Sequence, residues 1–269
     1  MEGGGAEWWW AYLAIGLSVG FLAGLLGIGG GMIMVPMLVF VFTAKGFPAG
    51  HMMHLALATS MATIVFTSIS SVRAHHRHQA VDWRVARAMA PGIVTGALAA
   101  TLVAGCVPTR ALAVFFAVFM LYASLQMFVE VKPKPSRQMP GAAGLFGGGA
   151  GIGALSSVLA PGGAFLSIPF LARCNVPLKR AIGTAAANGF PIAAAGTIGY
   201  ILNGLRASGL PDGSLGFVYL PALVIIVAAS MPMAPLGAKL AHRLPVKRLR
   251  IVLALMLLAI AVRMLANLW

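Results

Sequence analysis

Acidic side chains are almost missing from this chain. Only five occur in 269 residues, and Glu2, Glu7, Asp82, Glu130 and Asp212 all stand at segment ends or in loops. No carboxylate falls inside the long apolar runs. That argues against a sodium or metal cation held by oxygen ligands, and it removes the commonest proton relay. Cysteine is nearly absent too: Cys106 and Cys174 form neither a metal motif nor a disulfide framework, and the topology argued below predicts no bond between them. His51 and His54 lie three apart without a third ligand and read as an outer-mouth helix end, so the expectation is no metal and no cofactor. His75, His76 and His78 belong to a basic loop.

Charge as a whole is scarce. Charged residues make up 9% of the chain, against roughly 25% in a soluble domain. What is present instead is apolar: 60% of residues, with a mean hydropathy of +0.93. Residues 88–104, 111–129, 217–231 and 251–262 carry no charge, and several of these runs approach the ~20 residues that cross a bilayer as a helix. Alternating strands of the kind a membrane β-barrel needs are missing. The N-terminus lacks a basic region and a small-residue cleavage site, so it does not read as a signal peptide. Trp8, Trp9, Trp10 and Tyr12 read as an interfacial anchor. The net charge of +14 would suggest nucleic acid in a soluble chain. Here the basic residues sit in short loops between apolar runs, so membrane topology explains most of them and no nucleic-acid partner is expected.

Loops rich in Lys and Arg stay on the cytoplasmic side. Residues 73–87 hold four arginines and three histidines, 132–137 hold Lys132, Lys134 and Arg137, and 239–250 hold Lys239, Arg243, Lys247, Arg248 and Arg250. Segments near 86–105 and 109–130 then form a pair whose short turn lies outside. The stretch 141–172 is too long for one ordinary span and is interrupted at Pro161-Gly162-Gly163. If it crossed once, residues 239–250 would land outside. If it folds back as a hairpin, they land inside together with Arg173, Lys179 and Arg180, as the charge rule requires. The same logic applies to 8–43, interrupted at Gly29-Gly30-Gly31, and leaves an N-terminus without Lys or Arg outside. About ten helical elements result, five per half, with the second half inverted. The expected fold is all-α: a polytopic membrane protein of two inverted repeats, 1–131 and 141–269, each with a glycine-broken helical hairpin. A cytoplasmic basic linker, 132–140, joins them, and both termini are periplasmic.

The halves share motifs in the same order. Gly29-Gly30-Gly31-Met-Ile-Met-Val-Pro36-Met-Leu38 matches Gly162-Gly163-Ala164-Phe-Leu-Ser-Ile-Pro169-Phe-Leu171. Ala58-Thr59-Ser60 matches Gly183-Thr184-Ala185, and Pro108-Thr-Arg110-Ala-Leu112 resembles Pro245-Val-Lys247-Arg-Leu249. Repeats with broken helices in corresponding places mark secondary transporters. In lipid every backbone polar group needs a partner, so a break is tolerated only where protein or a wet cavity surrounds it. Each break begins a new helix whose N-terminus carries unpaired N–H groups and about half a positive charge. Two such ends near the midplane suit an anion.

The expected substrate ligands are the backbone at Gly29, Gly30, Gly31, Gly162 and Gly163, with the side chains of Thr59, Ser60, Thr184 and Asn188. Thr63, Ser156 and Ser157 are further candidate donors. Serine and threonine also satisfy helix carbonyls or join helices, and for any single one that reading stands beside the first. Gly16, Gly20 and Gly24, spaced by four, read as a packing face. Arg263, within the last segment, reads as snorkelling to the outer interface.

The stretch from Gly24 through Gly27, Gly29-Gly30-Gly31 and Pro36 to Leu38 resembles the N-terminal signature of the TauE/SafE sulfite exporter family. His54-Leu-Ala-Leu-Ala-Thr59-Ser60, the loop Ala80-Val-Asp82-Trp83-Arg84, and Pro161-Gly162-Gly163, Pro169 and Gly183-Thr184 are similar to it as well. The resemblance runs from about Leu13 to Leu265. It implies a duplicated integral inner-membrane permease for sulfur-containing anions, sulfite or organosulfonates such as sulfoacetate. The second half departs from the first in Pro161 before its glycine pair and Ala185 where Ser60 stands.

Residues and resemblance together predict a secondary transporter of a small sulfur-containing anion. Its partners are that anionic substrate and the lipid bilayer, and its mechanism is alternating access of the two halves around a midplane site. An anion channel of the same architecture is the alternative. A membrane enzyme would need titratable groups gathered in a pocket, and the apolar segments hold none beyond histidines near their mouths and Arg263.

Overall fold

The computed structural model describes residues 8–26, 30–129, 138–160, 162–241 and 246–266. Residues 1–7, 27–29, 130–137, 161, 242–245 and 267–269, which include Glu2, Glu7, Gly29, Glu130, Pro161 and Trp269, lie outside the described residues.

Ten α-helices account for most of the described residues: α1 Trp9–Leu26, α2 Gly31–Ala44, α3 Met52–Arg77, α4 Trp83–Ala104, α5 Thr109–Val129, α6 Ala142–Leu159, α7 Gly163–Arg173, α8 Leu178–Gly204, α9 Leu220–Ala241 and α10 Val246–Ala266. The all-α membrane architecture, with both long stretches interrupted, agrees with the sequence reading. Residues 49–77, 83–104, 109–128, 142–159 and 178–204 are long and apolar enough to cross a membrane. Large apolar side chains such as Val103, Val118, Leu125, Val224 and Val252 point outward, as a surface solvated by lipid requires. One feature was not expected. A two-strand ribbon, β1 Ser214–Leu215 and β2 Val218–Tyr219, joins α8 to α9, with Ser214 opposite Tyr219 and Leu215 opposite Val218. Gly216 sits at its tip with φ +55° and no room for a side chain, because the Ile201 carbonyl lies against it.

The helices pack by exchange between the halves. The most extensive contact of α1, the first helix of the first half, is with α9, the fourth of the second; α6, the first of the second half, packs equally closely on α4, the fourth of the first. Small residues bring both pairs together. A Cβ on Gly16 would meet Ala229 Cβ at 2.6 Å, and one on Gly20 would meet Ser230 at 2.6 Å. On the other side, Gly92 and Gly96 of α4 press on the Phe146 and Ala150 carbonyls of α6, while Gly149 and Gly153 press back on Met89 and Ile93. The packing face expected of Gly16 and Gly20 is therefore present. The third helices, α3 and α8, pack on one another at the centre, and the fifth helices, α5 and α10, also pair. There the Ser124 hydroxyl donates to the Ala254 carbonyl at 2.8 Å.

Candidate substrate site at the helix breaks

Both breaks are built by glycines that take conformations other residues avoid. Gly30 precedes α2 with φ +42°, and Gly162 precedes α7 with φ +73°. The new helices start at Gly31 and Gly163. Pro36 and Pro169 then sit inside them, removing one N–H each and releasing the carbonyl four residues back from its usual helix partner. α6 ends at Ala160, itself left-handed at φ +47°.

The two breaks touch. Gly31 lies directly against the Ala160 carbonyl, with the Ile64 side chain of α3 beside it, so even a methyl group at Gly31 would strike backbone. Gly163 is seated differently: a Cβ there would meet the Ala185 carbonyl and the Gly189 N–H of α8, each at 2.7 Å. The cavity that touches the first break is apolar and about 20 Å³, lined by Leu22, Ala23, Ile33 and Leu257 among others. That is room for about one water molecule.

Four buried polar atoms without a hydrogen-bond partner stand, along the chain, within about one helical turn of a residue that forms one of the breaks or packs against it. They are the Ser60, Ser156 and Ser167 hydroxyls and Asn188 Oδ1. Ser60 stands four residues before Ile64, Ser156 four before Ala160, Ser167 four after Gly163, and Asn188 beside Gly189. All four residues are at most 1% exposed. The Asn188 amide donates only weakly, to Met89 Sδ at 3.6 Å. An unpaired buried hydroxyl or amide costs about 1–3 kcal/mol, so a cluster of them is unusual unless something pairs with them. Ser60, Ser156 and Asn188 were foreseen; Ser167 was not. Its signal was a single hydroxyl in the otherwise apolar stretch Gly163-Ala-Phe-Leu-Ser167-Ile-Pro169.

Thr59 and Thr184, the matched threonines, occupy equivalent places and hold equivalent bonds. Thr59 Oγ1 accepts the backbone N–H of Tyr219 at 3.0 Å, just ahead of α9. Thr184 Oγ1 accepts the backbone N–H of Asp82 at 2.9 Å, just ahead of α4. Each third helix thus secures the lead-in to the fourth helix of the other half. Asp82 in turn caps α4, its carboxylate accepting from the Arg84 and Val85 N–H groups at 3.2 Å. A hydroxyl that accepts still has its own hydrogen to donate. Thr63 donates to the Thr59 carbonyl at 2.9 Å and Ser157 to the Ala154 carbonyl at 3.0 Å, both local helix bonds.

Where α2 ends, the first half carries a cation that sequence inspection passed over. Lys45 Nζ donates to the Tyr219 hydroxyl at 2.9 Å and lies 5.0, 5.2 and 5.8 Å from the ring centres of Tyr219, Phe47 and Tyr12. His54, also at this end, is buried; its Nε2 pairs with the Ala104 carbonyl at 3.0 Å and its ring stacks on Phe217. His51 lies 6.2 Å from it, ring centre to ring centre. Among the described residues no three His, Cys, Asp or Glu side chains gather as metal ligands do. Arg263 is exposed on the outer surface of the bundle, 5.8 Å from the Phe40 ring.

With this geometry in place, comparison with known proteins is decisive on kinship. The family model described as Sulfite exporter TauE/SafE matches residues 12–264. The chain belongs to the TauE/SafE sulfite exporter family. As a member it is a multi-pass membrane transporter. A protein of Haemophilus influenzae described as a probable membrane transporter is 35% identical over 254 residues, covering 94% of this chain and 96% of the relative. One of Methanocaldococcus jannaschii with the same description is 26% identical, covering 90% of each chain. One of Bacillus subtilis is 25% identical, covering 84% of this chain and 88% of its own. No solved structure matches the chain.

Proposed function

We propose that this TauE/SafE member is a secondary transporter of small sulfur-containing anions, sulfite or organosulfonates such as sulfoacetate, across the inner membrane. The two sequence halves act as inverted repeats with both termini in the periplasm, and they alternate around the meeting point of the two helix breaks. The observation that carries this reading is three unpartnered buried hydroxyls flanking the two breaks, Ser60 and Ser156 on the helices that meet at Gly31 and Ser167 on the helix that starts at Gly163. Hydroxyl hydrogens and the weakly held Asn188 N–H groups suit oxyanion oxygens, whereas the unpaired Asn188 Oδ1 is an acceptor and would face a donor, and the starts of α2 and α7 add N–H groups and partial positive charge. Absence of any carboxylate from the described helix interiors favours an anion over a cation. Gly30, Gly31, Gly162 and Gly163 bring backbone close to the substrate, and Gly29 belongs with them by sequence. Thr59 and Thr184 contribute hydroxyl hydrogens while holding the lead-ins to α9 and α4. The exchange of partners between halves, α1 on α9 and α6 on α4, supports the repeat reading.

Purified protein tests this directly in a thermal-shift screen against sulfite, sulfate, thiosulfate, sulfoacetate, taurine and acetate. A ligand well above its dissociation constant raises the melting temperature. Sulfite or sulfoacetate should give the largest shift; a win for zwitterionic taurine would contradict the anion assignment. In proteoliposomes, saturable counterflow is expected, and unitary currents would replace the carrier with a channel. Gly30→Leu should abolish transport while leaving membrane insertion intact.

A further inference from the structure

Ser60, Thr63, Thr67, Ser70, Ala74 and Arg77 recur along α3 at intervals of three and four residues. That spacing places them on one face of the helix, and Arg73 flanks the same face. Toward the Arg-rich end, the end the charge rule assigns to the cytoplasm, this face opens on a cavity of about 270 Å³. Ile69, Ser70, Arg73, Ala74 and Arg77 of α3 line it, with Met231 of α9 opposite. The volume sits just below the range of pockets for drug-sized ligands, which suits a small hydrated anion.

Two ordinary explanations cover part of this arrangement. Lys and Arg gather on the cytoplasmic side, and a cation in the last turn of a helix, as Arg77 is, complements the helix dipole. Neither explains two guanidinium groups four residues apart on one hollow, because like charges at that spacing repel. Neither arginine has an ion-pair partner among the described residues. An oxyanion between them would relieve the repulsion, and the planar guanidinium fork matches its oxygens. Above the cavity the same face stays polar. Thr67 Oγ1 donates to the Ile64 carbonyl at 3.3 Å, Thr63 Oγ1 to the Thr59 carbonyl at 2.9 Å, and the Ser60 hydroxyl has no partner. From Ser60 to Arg73 the helix rises about 20 Å at ~1.5 Å per residue.

We infer that this face of α3 is the cytoplasmic access path, with Arg73 and Arg77 forming a first binding station for a small oxyanion before it reaches the breaks. The inference rests on the transport reading and extends it to residues outside the buried site. An anionic phospholipid headgroup offers the same oxyanion chemistry, so the test includes a bilayer without anionic lipid.

The probe is radiolabelled sulfite taken up by inside-out vesicles, which expose the cytoplasmic face. Arg73→Gln/Arg77→Gln should raise KM about tenfold with kcat nearly unchanged, and should flatten the ionic-strength dependence of uptake that steering by charge produces. Arg73→Lys/Arg77→Lys, which keeps the charge, should recover most of the affinity. The contrast should persist in proteoliposomes of phosphatidylcholine alone; an effect seen only with phosphatidylglycerol present makes the cavity a lipid site and overturns the inference. A double Gln variant with wild-type KM and salt dependence overturns it too, while leaving the transport reading intact. Wild-type protein that neither binds nor moves sulfite or sulfoacetate would defeat that reading itself, and this inference with it.

Discussion

Gly31, at the first break, packs on the Ala160 carbonyl of the opposite half, while Gly163, at the second, packs on α8 of its own half. The two breaks share a plan of glycine cap, short helix and internal proline, yet of the two glycines that start the new helices only Gly31 has the other half as its nearest neighbour. If the halves move against each other, Gly31 and Ala160 must slide, whereas Gly163 and Gly189 travel together. The lead-ins to α4 and α9 differ in a parallel way. Asp82, held by Thr184, caps its own helix and leaves the nearby arginines unpaired, while Tyr219, held by Thr59, binds Lys45.

The largest effect should come from the contact between halves. Gly31→Ala drives a methyl into backbone that no rotamer change can clear, so a loss of about 3 kcal/mol is expected, at the top of the overpacking range. Gly163→Ala also meets backbone, but at 2.7 Å rather than closer still, and should cost less. Thermal melting of both proteins orders them, and a Gly163 variant as damaged as the Gly31 variant would erase the asymmetry. Next come the matched threonines. Thr59→Val and Thr184→Val each strand one backbone N–H, at about 1–3 kcal/mol. Thr59→Val should be the worse, because its bond is buried and that of Thr184 only partly so; Thr→Ser at either place should restore most of the loss. Lys45→Met should follow at roughly 1 kcal/mol, from the lost ring contacts, and should loosen the end of α2 without touching cytoplasmic affinity. The smallest change in stability, and of opposite sign, is expected of Ser60→Ala. It removes a hydroxyl that has no partner, so the melting temperature should hold or rise slightly while KM for sulfite increases. A lowered melting temperature with unchanged KM would make Ser60 structural.

Much of this arrangement was legible in the chain itself because glycine, proline and charge speak locally. The breaks at Gly30 and Gly162 and the Gly16–Gly20 packing face follow from residues a few positions apart. The bonds of Thr59 and Thr184 do not, because their partners lie 160 and 102 positions away; the repeat showed that the two were equivalent without showing what they hold. The ribbon escaped notice because two-residue strands carry no alternation, although Gly213 and Gly216 punctuate that loop. Lys45 was passed over, since its cage draws Tyr12, Phe47 and Tyr219 from three separate segments. Ser167 was hidden by its apolar neighbours.

The exchange of partners also has a consequence for biogenesis. The Asp82 amide must wait for a threonine made 102 residues later, roughly 5–20 s at ~5–20 residues per second, and α1 waits longer still for α9. The nascent first half therefore enters the bilayer with its glycine faces uncovered and matures only when the second half arrives. Split at the linker and co-expressed, the two pieces should assemble as an obligate pair, and neither alone should escape membrane quality control.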